Sequence, residues 1–158
     1  MGRFARIGFA MAVLALAIGF GTVAVVAQDK EAEIKTRRDT MKRQGEDLKT
    51  VSEYVKGDAD QAKAEAAIAD LQSINPKIVD LFPAGTGLDA FPGKTGAKPA
   101  IWSEWDKFKA IPPVLAEEEK KLAAAIKTGD KAAVGAQLVN TGKNGCGSCH
   151  TPYREKIS

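Results

Sequence analysis

The sequence predicts an all-α fold, an antiparallel up-down four-helix bundle, and three observations support this prediction. From Asp29 onward the chain is rich in Ala, Lys and Glu and has few β-branched runs, a composition that favours helix. Apolar residues recur at intervals of three, four and seven, which places them on one face of each helix. Two short connections and one long loop join the predicted helices, as expected where neighbouring helices run antiparallel.

The first predicted helix covers residues 29–56 and ends at Gly57. Its inward stripe follows a seven-residue repeat with one additional member and consists of Ile34, Met41, Leu48, Val51 and Val55. The stripe is thin, because Arg37, Arg38 and Gly45 stand where a core helix normally carries large apolar side chains. We expect something other than neighbouring side chains to fill that space.

The second predicted helix, residues 59–81, repeats its apolar residues at alternating spacings of three and four. Asn75-Pro76 is expected to bend this helix or restart it after a turn, because Pro lacks an N–H and disfavours helix in the residue before it. Residues 83–98 are rich in glycine and proline and form the predicted long loop.

Pro99 suits the first turn of a third helix, which is expected to end at Thr128-Gly129. Pro112-Pro113 must kink or split this helix, since neither residue can donate a backbone hydrogen bond. Asp130 is expected to cap a fourth helix, residues 130–156.

The first 27 residues have the layout of an export signal. Arg3 and Arg6 precede an uncharged run that ends at Ala27, and the chain then becomes polar. We predict cleavage after Ala27, which leaves one domain, residues 28–158, in the periplasm. If the segment is not cleaved, it is just long enough to anchor the domain in a membrane.

The charge of the chain is balanced once that segment is removed. Without Arg3 and Arg6, the 23 basic residues become 21, against 20 acidic ones. Proteins that bind nucleic acid usually show a basic excess or stripe, so no nucleic-acid partner is expected.

Both cysteines and the only histidine lie within five consecutive residues, Cys146-Gly-Ser-Cys149-His150. This is the attachment pattern of a c-type haem. On a helix the three side chains share one face, where two thiols can add to the haem vinyl groups while the imidazole reaches the iron.

Three other interpretations of this motif fit less well. A thiol redox pair needs a strand-turn-helix context that stabilises a thiolate, and this motif ends an all-helical chain. A structural zinc site needs four ligands, and the motif offers three. A disulfide across so short a turn is strained and closes too small a loop to stabilise much.

Met41 is the candidate for the sixth iron ligand. His150 is the only histidine, so a second imidazole from the same chain is excluded. After removal of the signal segment Met41 is the only methionine. It lies on the inward stripe one turn before Gly45, whose missing side chain is expected to make room for a flat macrocycle. Filling the core is the alternative role for Met41.

The sequence resembles the class II cytochromes c, the family that includes cytochrome c prime and its low-spin relatives. The resemblance covers the mature chain and rests on four stretches: RRDTMKRQG at 37–45, LFP at 81–83, IWSEWDKF at 101–108 and the C-terminal CGSCHTPYREK. It implies a left-handed four-helix bundle, one covalently attached haem c and periplasmic electron transfer.

The resemblance also implies roles for single residues. Cys146 and Cys149 would form the thioethers, and His150 would be the proximal ligand. Arg154 would flank the proximal imidazole, with compensation of the helix dipole as its alternative role. Arg37 would lie near a haem propionate, with a solvent-facing position as the alternative.

Met41 matches the family position that faces the distal side of the iron, and the family divides there. Low-spin members ligate the iron through Met, whereas five-coordinate members bind only small gases. We therefore expect a carrier of single electrons with His150 and Met41 as axial ligands. The alternative is a five-coordinate protein that binds nitric oxide or carbon monoxide.

An enzyme such as a peroxidase is not expected, because the distal side offers no histidine for acid-base work. The expected partners are redox proteins of a periplasmic electron-transfer chain. A homodimer remains open, because an apolar stripe buried inside a bundle and one buried between subunits look alike in sequence.

Overall fold

The computed structural model describes the backbone of residues 21–157 and the side chains of residues 29–157. Residues 1–20 of the predicted signal segment lie outside the described residues, and its cleavage after Ala27 stays a prediction. Within the described part of the chain, no helix combines the length and the apolar character needed to cross a membrane.

The chain folds as an all-α four-helix bundle, as predicted. Its α-helices are α1 (Gly21–Lys56), α2 (Gln61–Ile74), α3 (Ala100–Ser103), α4 (Trp105–Lys109), α5 (Ile111–Thr128), α6 (Lys131–Asn140) and α7 (Gly147–Tyr153). Helix α1 packs against α2 and α6, and α5 packs against the same two helices. The four long elements therefore enclose one interior.

Helix α2 is shorter than predicted, because it stops at Ile74. Two 3₁₀ turns follow it, Asn75–Lys77 and Val79–Leu81. Pro76 lies in the first of these turns, where its missing N–H leaves no hydrogen bond unmade. The predicted bend at Asn75-Pro76 is confirmed.

The third predicted helix is split into α3, α4 and α5, with breaks at Glu104 and Ala110. Pro112 and Pro113 lie in the first turn of α5. Backbone N–H groups in a first turn have no partner within the helix, so proline costs little there. The prolines therefore start a helix instead of kinking one.

The fourth predicted helix begins as expected but is not continuous. The Asp130 carboxylate accepts from the backbone N–H of Ala132 at 2.9 Å and of Ala133 at 3.1 Å. After α6 the chain continues as a π-helical segment, Thr141–Cys146, and then as α7.

The prediction that this helix extends to residue 156 is wrong, because α7 ends at Tyr153. Beyond it the chain pairs with the long loop. The Glu155 N–H donates to the Gly96 carbonyl at 2.7 Å, and the Lys98 N–H donates to the Tyr153 carbonyl at 3.0 Å. These bonds satisfy backbone groups that a longer helix would otherwise use.

The interior divides into two clusters of buried side chains. The first, which we call the packed cluster, consists of Val51, Tyr54, Ala64, Ala67, Ile68, Leu71, Leu122, Ile126 and Val134. The second, which we call the cavity cluster, consists of Ile74, Ile78, Phe82, Ala97, Ile101, Phe108, Leu115 and Tyr153. In the cavity cluster the Phe108 ring meets the rings of Phe82 and Tyr153 edge-on, at centroid distances of 4.8 and 5.4 Å.

Candidate functional site

A cavity of about 470 Å³ opens beside the cavity cluster. Its volume lies in the range of sites that bind small molecules and cofactors. Much of its wall is apolar and is formed by Ile78, Phe82, Ile101, Phe108, Ile111 and Leu115. The structure brings all six residues singled out in the sequence to this cavity, namely Arg37, Met41, Cys146, Cys149, His150 and Arg154.

The cysteines lie at the junction of the π-helical segment and α7. Cys146 is the last residue of the segment, and Cys149 follows one turn later in α7. Both side chains are half-buried and pack against the cavity cluster, and no disulfide joins them. Short π-helical insertions are frequent at functional sites, and this one was not predicted from the sequence.

The surroundings of the two thiols oppose ionisation. Burial, reinforced by the charge of Cys146, raises the pKa of Cys149 to about 11. Burial and then the charge of Glu119 raise the pKa of Cys146. Redox-active and metal-binding cysteines need a stabilised thiolate. A neutral thioether carries no charge to desolvate, so these positions suit covalent haem attachment better than a redox-active thiol pair or a metal site.

His150 lies on α7 at the mouth of the cavity, and the residue as a whole is exposed. Desolvation of its imidazole by the surrounding protein lowers the pKa of His150, and the charge of Arg154 lowers it further. Both effects favour the neutral imidazole, which is the form that binds a metal ion.

Met41 reaches the cavity from α1, where it is half-buried and packs against the cavity cluster. The structure gives Gly45 no part in opening this space. Gly45 is exposed, and a Cβ atom there would meet no atom within 4 Å. Gly45 is also not among the described residues that line the cavity, so the expectation that its missing side chain makes room for a flat cofactor is not supported.

Arg37 is buried, with 3% of its surface exposed, so the solvent-facing alternative is wrong. Its Nη1 donates to the Leu81 carbonyl at 3.1 Å and to the Thr86 hydroxyl at 2.9 Å. Its Nη2 donates to the Thr86 carbonyl at 2.8 Å and to the Thr95 hydroxyl at 2.9 Å. These four bonds use the N–H groups of Nη1 and Nη2. Within the described residues the Nε–H alone has no acceptor, so it is free to donate to a group in the cavity.

Burial lowers the pKa of Arg37 to about 10, against an opposing effect of Glu33. The guanidinium also stands over the Phe82 ring, with 4.8 Å from Cζ to the ring centroid. The guanidinium remains charged at neutral pH and ties α1 to the long loop.

Two further cations line the cavity and were missed as site residues. Arg38 and Lys42 lie four positions apart on α1 and are exposed. Together with Arg154 they give the mouth a positive charge, and the described residues that line the cavity include no Asp or Glu. The available signal was the spacing of four residues between Arg38 and Lys42, which places both on one face of the helix beside Met41.

These features fit a haem. The apolar wall suits the macrocycle, and the cations at the mouth suit its two carboxylates. The two half-buried cysteines and the imidazole stand together on the last helical stretch. Met41 reaches the same cavity from another helix.

Comparison with known proteins identifies a family and relatives of nearly full length. The family profile described as cytochrome C' matches residues 32–154. A cytochrome c' from Pararhodospirillum photometricum is 37% identical over 129 residues, covering 79% of this chain and 98% of that relative. A cytochrome c-556 from Agrobacterium fabrum is 30% identical over 141 residues, covering 87% and 90% of the two chains.

A solved structure provides the third comparison. It is a nitric oxide complex of a variant of cytochrome c prime from Alcaligenes xylosoxidans. It superposes with a TM-score of 0.67 at 27% identity and covers 80% of this chain and 97% of its own.

Proposed function

Since the chain belongs to the cytochrome c' family and binds covalently attached haem c, we propose that it is a periplasmic haem protein that binds nitric oxide or carbon monoxide at a five-coordinate iron. Haem c supplies an iron that changes between the ferrous and ferric states and accepts diatomic gases on a free axial position.

Each site residue then has one task. Cys146 and Cys149 hold the haem through two thioethers, and His150 binds the iron from the proximal side. Burial first, and then the charge of Arg154, four residues after His150, lower the pKa of that imidazole and favour its neutral form. The basic mouth would suit the propionates, to which Arg38, Lys42 and the remaining Nε–H of Arg37 could donate.

The observation that carries this proposal is the apolar wall of the cavity. A neutral diatomic gas needs space and an apolar surface, and no group for proton transfer. Apart from His150, the described residues of the lining include no histidine or carboxylate. The same lining argues against acid-base catalysis, so we propose that the protein is not an enzyme. The nitric oxide complex of the Alcaligenes relative supports gas binding by analogy.

A six-coordinate electron carrier, the first expectation from the sequence, is the second candidate. It is favoured by Met41, a thioether that reaches the cavity from α1, and by the similarity to a cytochrome c-556. The family profile and the more similar relative described above both carry the name cytochrome c', and they support the gas-binding alternative better.

Spectra of the purified holoprotein distinguish the two candidates. We expect a high-spin iron in absorption and electron paramagnetic resonance, a ferrous form that binds carbon monoxide, and the same spin state in a Met41→Leu variant. Ile78→Leu is the matched control, because it conserves volume in the same wall. The proposal would be overturned in favour of the electron carrier if the iron is low-spin, does not bind carbon monoxide, and becomes high-spin only in Met41→Leu.

Export is proposed from the sequence of residues 1–27. An intact mass of the same preparation checks it, because the mature chain should begin at Gln28 and carry one covalent haem. A mass that retains the first 27 residues would contradict cleavage.

A further inference from the structure

A buried carboxyl lines a second cavity, which shares one lining residue, Pro112, with the cavity proposed to hold the haem. Glu119 on α5 is 1% exposed, and Asn75, in the turn after α2, is 3% exposed. The Asn75 Nδ2 donates to Glu119 Oε2 at 3.0 Å and to the Pro112 carbonyl at 3.1 Å. The two remaining oxygens, Glu119 Oε1 and Asn75 Oδ1, are buried and have no partner in the described part of the chain.

Two buried acceptors without a donor cost free energy in the folded protein. A proton on Glu119 removes much of this cost, because the carboxyl then carries an O–H that can donate and no longer carries a charge. Burial raises the pKa of Glu119, while the hydrogen bond from Asn75 opposes that shift. A proton on Glu119 would thus reduce the cost of burying this pair.

The second cavity, of about 560 Å³, lies directly beside the pair and opens toward solvent. Lys109 and Lys120 line it together with Asn75 and Glu119. Two oxygens are too few ligands to bind a hard metal cation at this position. The same cavity gives a proton from water a route to the carboxyl.

Glu119 is close enough to Cys146, one of the two attachment cysteines, to affect its ionisation: burial first, and then the charge of Glu119, raise the pKa of Cys146. Pro112, whose carbonyl receives the Asn75 amide, lines both cavities. The neighbouring Glu118 is engaged elsewhere, since it accepts from Lys121 and from Gln137, both at 2.8 Å.

We propose that Glu119 and Asn75 form a proton-binding site coupled to the haem, in which Glu119 takes up one proton when an electron reaches the iron and releases it on oxidation. The electron comes from a one-electron donor, and the proton comes from a solvent hydronium ion that reaches the second cavity. One O–H bond of the hydronium ion breaks, one O–H bond forms on the carboxylate, and water is left. Its ionised form stabilises the ferric state, and its neutral form permits the ferrous state. The proposal requires the bound haem and holds for either axial ligation.

The test is the reduction potential of the holoprotein as a function of pH, measured by spectroelectrochemistry. In the wild type the potential should fall as pH rises through the range in which Glu119 ionises, because the anion favours the ferric iron. In Glu119→Gln the reduction potential should no longer fall over this pH range, and at alkaline pH it should be higher than that of the wild type. Glu118→Gln is the matched control and should keep the wild-type profile.

Infrared difference spectra between the reduced and oxidised protein provide a second readout. The wild type should show the carbonyl band of a protonated carboxyl on reduction, the band should shift in heavy water, and it should be absent in Glu119→Gln. Asn75→Leu should move the pH transition upward, since the carboxylate loses the one donor it has among the described residues.

The proposal is overturned if the wild type shows no such band, or if Glu119→Gln keeps both the band and the wild-type pH profile. The infrared spectrum of the wild type can overturn the proposal by itself, so the test does not depend on the folding of any variant. The spin state recorded in the same cell reports axial ligation separately, so a failure of the proposed gas-binding function is distinguishable from a failure of the proton site.

Discussion

Arg37 and Arg38 are neighbours on α1 with opposite environments. The Arg37 guanidinium is buried and makes four hydrogen bonds to three residues of the segment 81–95. Arg38 is exposed and donates one hydrogen bond, to the Lys94 carbonyl at 3.2 Å. Without the Arg37 side chain, the Leu81 and Thr86 carbonyls would lose their hydrogen-bond donor. Water can replace the single hydrogen bond that the exposed Arg38 makes.

Replacing each arginine by methionine tests this difference. Arg37→Met should lower the free energy of unfolding by about 3 kcal/mol, because buried acceptors lose their donors. Arg38→Met, the matched control, should change it by less than about 0.5 kcal/mol. Urea denaturation of the two holoproteins measures both values. Equal effects would mean that the Arg37 bonds do not hold the long loop.

At the scale of elements, the π-helical segment Thr141–Cys146 determines how closely the haem-binding stretch approaches α5. A Cβ atom on Gly145 would lie 2.6 Å from Cδ1 of Leu115, so the glycine permits this approach. Leu115 is buried and lines the haem cavity. Any displacement of Leu115 therefore changes the wall against which the cofactor packs. At Gly142, in the same segment, a Cβ atom would meet no atom within 4 Å.

We expect Gly145→Ala to lower the free energy of unfolding by about 1 to 3 kcal/mol, because the added methyl group overpacks the contact with Leu115. The fraction of protein that incorporates haem should fall as well. Gly142→Ala, the control, should be neutral or slightly stabilising, since a helical Gly→Ala change gains about 0.5 to 1 kcal/mol where there is space. Thermal unfolding and the ratio of haem to protein absorbance measure both effects. A stable Gly145→Ala protein with full haem content would show that the segment tolerates a wider spacing.

At the scale of the whole molecule, the two halves of the bundle interior are filled differently. Side chains alone fill the packed cluster, and five of its residues are fully buried, namely Val51, Ala64, Leu122, Ile126 and Val134. The cavity cluster surrounds the space of about 470 Å³ that the haem is proposed to fill. Apolar side chains that lose their packing partner lose dispersion contacts and burial. The stability of the second half should therefore depend on the cofactor.

Hydrogen exchange of a Cys146→Ala and Cys149→Ala double variant, purified without haem, tests this dependence. Amides of the cavity cluster should exchange at least about tenfold faster than in the holoprotein, a change of about 1.4 kcal/mol in local stability. Amides around Val51 and Leu122 should change much less. Uniform acceleration over the chain would show instead that the bundle unfolds as one unit when the cofactor is missing.

Sequence patterns alone were enough to predict the bundle, the long loop, the cap at Asp130, the break near Asn75-Pro76 and the haem motif. Each of these follows from local rules, because helical periodicity, proline and capping side chains act within a few residues. The haem motif is equally local, since its spacing of three and four residues is set by one helical turn.

The remaining features depend on tertiary contacts. The burial of Arg37 depends on acceptors 44 to 58 residues away, and the pairing of Asn75 with Glu119 spans 44 residues. The early end of α7 depends on hydrogen bonds between the residues that follow it and the long loop at Gly96 and Ala97. Such contacts join segments whose relative positions follow from packing of the whole chain, and a pattern read along one segment carries no information about them.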